Sequence, residues 1–166
     1  MVRFLLATVV ALLASRAHSM NIGVFADAAG TDCSLAVPYP GNPTHVFVVV
    51  TLDDIAPDGI ALGSFRIVGM PEDWTTEVIS TPGASVAIGD VLQRGGFLAY
   101  SVCMGSAPQV LMELAITPTS AAENVAITVD SNLDDDGNCF LNSCGPCPRF
   151  CGCAGVPACY CASTVV

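Results

Sequence analysis

Residues 44–52 read THVFVVVTL, an almost unbroken apolar run whose length suits one strand. Such a run predicts a central strand buried on both faces. Shorter segments rich in Val, Ile and Thr predict further strands at 21–27, 34–37, 62–68, 75–80, 85–92, 97–104, 109–117 and 124–130. In 109–117, Leu111, Met112, Glu113 and Leu114 favour helix, but Pro108 and Pro118 leave room for only a short element, so a strand is expected. Turn residues separate these runs at 40–43 (PGNP), 57–59 (PDG), 82–83 (PG) and 95–96 (GG). Gly95-Gly96, between two apolar runs, is the best hairpin signal. No segment carries a long apolar repeat of 3.6 residues. The pattern therefore predicts an all-β chain, an Ig-like antiparallel β-sandwich over residues 20–130, with Trp74 packed in its core.

The ends differ from this middle. Arg3, the apolar run 4–14 and the small residues Ala17 and Ser19 predict a secretory signal peptide over 1–19, with cleavage after Ser19 or, as second choice, after Ala17. The run is shorter than the ~20 residues a bilayer span needs. From about Ser131, acidic residues and then Cys, Gly and Pro replace the β-branched ones. Residues 131–166 are expected to form a cysteine-rich appendage on the sandwich, with no core of its own.

Composition adds a compartment and a surface. The chain is 52% apolar and 12% charged, the balance of a folded domain. After the leader, fifteen acidic residues face only Arg66, Arg94 and Arg149, a net charge of −12, and the chain has no Lys. Such a surface repels nucleic acid and anionic membranes, suits solubility outside the cell and attracts divalent cations.

Some residues also carry a resemblance. Asn21-Ile-Gly-Val-Phe-Ala-Asp27, Gly30-Thr-Asp-Cys33, Val86-Ala-Ile-Gly89 and Tyr100-Ser-Val-Cys103 resemble segments of a loose set of small secreted bacterial β-sandwich proteins. The resemblance covers the sandwich part of the chain. It implies a β-rich secreted domain and no particular activity.

Nine cysteines follow the leader: Cys33, Cys103, Cys139, Cys144, Cys147, Cys151, Cys153, Cys159 and Cys161. In an oxidising compartment disulfides are their default state. Cys33 and Cys103 stand alone in the sandwich, so a Cys33–Cys103 bridge is expected, stabilising by ~2–4 kcal/mol. Folding 151–161 as a hairpin around 154–158 sets Cys151 opposite Cys161 and Cys153 opposite Cys159, two rungs on one face. These staples would replace a missing core. The same sulfurs suit a tetrahedral zinc site, and compartment favours disulfides over it. Cys144-Gly-Pro-Cys147 repeats the thioredoxin active-site string, but a catalytic pair needs its first Cys at a helix N-terminus. Pro148 follows at once and the surroundings read as β, so the string is expected to be turn chemistry. An odd count leaves one cysteine for an intermolecular bridge, a free thiol or a metal.

Asn132, Asp134 and Asp136, with Gly137, match the first half of a calcium loop. Position twelve is Ser143 and no helices flank it, so a charged turn competes with a weak calcium site. Asp53, Asp54 and Asp58 read as a solvated turn. His45 is the only His after the leader and has no evident partner, and no hydrolase, zinc-protease or phosphate-loop motif is present. The expectation is a non-enzymatic binding or adhesion module, secreted or at the cell surface, taking an extracellular glycan or protein. A structural subunit of an extracellular assembly, self-associating through strand edges or the odd cysteine, is the alternative. A metal-binding or thiol-redox protein comes third. No cofactor is required, calcium being the one candidate.

Overall fold

A computed structural model describes residues 20–52, 59–105, 107–133, 149–152 and 159–165. These form ten strands: β1 (Met20–Phe25), β2 (Thr44–Thr51), β3 (Ile60–Val68), β4 (Thr75–Ser80), β5 (Ala84–Asp90), β6 (Gly95–Met104), β7 (Gln109–Thr117), β8 (Thr128–Asp130), β9 (Arg149–Gly152) and β10 (Cys159–Val165). No helix occurs among the described residues.

Hydrogen bonding follows the path β4-β7-β2-β1-β10-β9-β3-β6-β5, with β8 also on β3. The path folds into two facing sheets, and β10 makes the corner. Its residues Cys159, Tyr160 and Cys161 pair antiparallel with β9. Its residues Ala162, Ser163, Thr164 and Val165 pair parallel with β1. A strand that changes sheets in mid-course is a recognised way to turn such a corner. All other pairings are antiparallel. The opposite side stays open. There β4 and β5 are the two edges, joined by Thr81-Pro82-Gly83, whose glycine sits at φ 73°.

The core lies between the sheets. Ile22, Val48, Val50, Leu111, Leu114 and Ile116 meet Ile60, Phe65, Ile67, Leu98 and Phe150 in one cluster. Each such side chain stabilises by roughly 1.5–3 kcal/mol on burial. The central strand is where its pattern put it. β2 lies between β1 and β7, and Val48, Val49 and Val50 are all buried, side chains of both faces.

Three expectations change. Residues 34–37 form no strand; they run exposed or half-buried through a loop ahead of Pro38. Residues 124–130 contribute only Thr128–Asp130; Asn124, at φ 54°, lies outside the extended region, and residues 125–127 pair with no strand. The C-terminal region is not merely an appendage. β9 pairs with β3, β10 pairs with β1, and Phe150 is fully buried in the core.

Candidate functional site: a pocket at one end of the sandwich

The C-terminal end of β1 carries Phe25, beside Val46 of β2 and Ile116 of β7. The loop after β1 folds back over this end, and local hydrogen bonds dictate its course. The Asp27 carboxylate accepts from the Thr31 amide at 3.1 Å and from the Thr31 hydroxyl at 2.7 Å. These donors hold its pKa below the ordinary carboxylate value, the hydroxyl first and the amide second. Ala26 N–H donates to the Asp32 carbonyl at 2.7 Å, and Ser34 N–H donates to Asp32 Oδ1 at 2.8 Å. Gly30, at φ 69°, lets the loop lie on Val49, whose Cγ1 is 3.0 Å from where a Cβ would stand. The result sets Cys33 and Leu35 into a wall.

Trp74 forms the facing wall. A turn fixes it at the start of β4, with its N–H donating to the Pro71 carbonyl at 3.0 Å. Its indole Nε1–H donates to the Ser120 carbonyl at 3.2 Å. The Thr119 hydroxyl donates to the Asp73 carbonyl, holding the same two segments together. Trp74 thus packs against the core, as expected, and also presents surface to the cavity. Ser34, Ala122, Asn124, Val125 and Ile127 also line it.

The pocket is half open and holds about 360 Å³, within the ~300–1,000 Å³ range of small-molecule sites. Among the described residues its lining includes no carboxylate and no histidine. Most lining side chains are apolar, and Ser34 and Asn124 add polar groups, so the site suits an apolar group that carries a polar part. It offers neither a general base nor a hard-cation cage.

The cysteines are arranged differently from expectation. Cys33 is an exposed free thiol, so the Cys33–Cys103 bridge is absent. Topology explains why. Cys33 follows the C-terminal end of β1. Cys103 is near the C-terminal end of β6, beside Met104, which pairs with Ile60 at the start of β3. Through the alternating strand directions, those two ends lie at opposite ends of the sandwich. Cys103 is disulfide-bonded. In β9 and β10 the register sets Cys159 opposite Cys151, and Cys161 opposite Arg149. The expected rung joining Cys151 to Cys161 is therefore not in register. Cys153, like Cys139, Cys144 and Cys147, lies outside the described residues, and so does the Cys144–Cys147 string.

His45 has a partner after all. Its Nδ1 lies 2.6 Å from Glu113 Oε1, on neighbouring strands β2 and β7. Ser80 Oγ donates to Glu113 Oε2 at 3.2 Å. The carboxylate thus stands between the hydroxyl and the imidazole. A nucleophilic triad needs the imidazole in that place, so this is a surface hydrogen-bonded cluster. The hydrogen bond to His45 is the main reason the Glu113 pKa is lowered.

Asn132 is buried, and its amide nitrogen donates to Ser64 Oγ at 3.3 Å and to the Gly96 carbonyl at 3.5 Å. It ties the end of β8 to β3 and β6. Asp134 and Asp136 lie outside the described residues, as do Asp53, Asp54 and Asp58, and the calcium expectation with them. Among the described residues no group of three or more His, Cys, Asp or Glu side chains could hold a metal ion.

The pocket was not legible in the chain. Its walls come from separate segments, and residues such as Cys33, Val46 and Trp74 carry local signals of a disulfide, a strand and a core, none of which marks a shared cavity. Comparison with protein-family models, with curated proteins and with solved structures finds no match for this chain.

Proposed function

We propose that this chain is a secreted, non-enzymatic binding module, and that it holds an extracellular protein by an apolar side chain inserted into the end pocket. The observation that carries this reading is the cavity of about 360 Å³ between Trp74 and the loop bearing Cys33, with no acid or imidazole among its described lining residues. The lining side chains are mostly apolar, Phe25, Leu35, Val46, Trp74 and Ile116 among them, which suits a protein's apolar side chain.

Trp74 is the only tryptophan in the chain, so its emission reports on the pocket directly. The test is a titration with the neutral apolar probe N-phenyl-1-naphthylamine and with peptides bearing Leu or Phe side chains. Saturable change in Trp74 emission, slower alkylation of Cys33, and loss of both in Ala122→Phe, which narrows the mouth, are the expected results. Unchanged emission and labelling would overturn the reading. So would a glycan captured on an array with equal strength by Ala122→Phe.

A further inference from the structure

The two open edges of the sandwich are not equally defended. β4 carries Glu77 near its middle, exposed, the kind of charge that turns away another strand. β5 reads ASVAIGD and bears a single charge, Asp90, at its last position. It has no Lys, Arg, Glu or Pro. Its apolar side chains stand open: Val86 is 48% exposed and Ile88 64%. Ala87 pairs with Leu98, which points into the core. Val86 and Ile88 therefore share the outer face, opposite Ala99 and Phe97 of β6.

We propose that β5 is a self-association edge, to which a second copy of this chain adds its own β5, antiparallel, across a two-fold axis at Ala87. The strand's own sequence identifies the occupant. In that register Val86 meets Ile88 of the second copy, and the pair occurs twice. β-branched pairs of this kind are favoured across strands. Ala87 meets itself, and Asp90 falls opposite Ala84. The two Asp90 carboxylates are then at opposite ends of the pairing, ~20 Å apart at the rise of a strand. That exceeds the ~8 Å Debye length of physiological salt. Moving the axis to Asp90 would set the two carboxylates against each other. In a chain whose net charge after the leader is −12, an almost uncharged edge is where two copies approach with least repulsion. The register shift between Ala84 and Val86 and Gly89 at φ 89° limit the regular part of the edge to Val86–Ile88, so the paired segment is short and the dimer weak. This edge is separate from the end pocket, and neither proposal depends on the other.

The test is sedimentation equilibrium of the chain released by a secreting host, from about 10 µM to about 1 mM, the range of weak complexes. A reversible monomer–dimer equilibrium is expected. Val86→Lys alone and Ile88→Glu alone should each raise the dimer Kd by at least about tenfold, the effect of ~1.4 kcal/mol. Both positions are exposed, and unchanged circular dichroism and melting would show that the variants fold. Mixing the two variants should restore a heterodimer, because the register sets position 86 of one chain against position 88 of the other. Glu77→Lys, on the other edge, should leave the dimer unchanged. A monomer across the whole range would overturn the proposal. A dimer indifferent to Val86→Lys, or a mixture with no heterodimer, would overturn it equally.

Discussion

The Arg66 guanidinium holds the Asp130 carboxylate at 2.6 Å and donates from Nε to the Ser131 carbonyl at 2.9 Å, which fastens the three-residue strand β8 to β3. A strand that short has little ladder of its own. The pair is only partly buried, so its contribution is modest. Asp130→Ala should cost about 1 kcal/mol, the upper end for exposed ion pairs. Asp130→Asn, which keeps an acceptor for the Ser131 amide, should cost less. Urea unfolding of the two variants against the parent chain measures both.

Glu113 has a folded-state pKa below the ordinary value because of His45 and, less strongly, Ser80. A depressed carboxylate contributes stability that is present above its unfolded pKa and lost as pH falls through the folded one. Glu113→Gln has no such proton to take up. Its melting temperature should therefore fall less than the parent's between pH 5 and pH 2. Thermal melts at several pH values check this, and equal slopes would count against the pairing. The comparison cancels the self-repulsion of the acidic surface, which both proteins share.

Tyr100 is 7% exposed, and its hydroxyl has no hydrogen-bond partner among the described residues. Burial raises the phenol's pKa far above its ordinary value. A buried donor without a partner costs about 1–3 kcal/mol. Tyr100→Phe keeps the ring in the core and removes that cost, so it should stabilise by about 1 kcal/mol. A rise in the urea midpoint with unchanged slope is the expected signature.

Gly95 opens β6 at φ 122°, and a Cβ there would stand 2.4 Å from the Asn132 side chain. Gly95→Ala meets both backbone strain and a clash. Asn132 would have to leave Ser64 and the Gly96 carbonyl. A loss of about 2–4 kcal/mol is expected, in the range of core disruption, against near neutrality for Gly105→Ala, which faces open space. Equilibrium denaturation of both variants separates a local requirement from a general one.

Gly95-Gly96 also shows where local reading stops. The pair did mark a hairpin, but the turn is Val91–Arg94, with Gln93 N–H on the Asp90 carbonyl at 3.1 Å. The glycines begin the next strand, and Gly95 gives way to a residue 37 positions later. β2 and β7 were legible because an unbroken apolar run and two flanking prolines are local signals. The role of residues 149–152 was not. Cysteine and glycine dominate the composition there, while Phe150 owes its burial to β3, almost ninety residues earlier. In β9 and β10 the register differs by two residues from the symmetrical expectation. A two-residue slip keeps every side chain on its face, so alternation could not choose between them. His45 lacked an evident partner for a similar reason, since Glu113 is 68 residues away.

The corner made by β10 bears on when the protein can fold. β1 is the first described strand to leave the ribosome and β10 the last, yet the two pair directly. Until residues 159–165 have emerged, β1 lacks a neighbour on one flank and β9 lacks its partner in the hairpin. Contacts of such long sequence separation form late and slowly. The two sheets therefore stay unjoined through β10 until residues 159–165 have emerged.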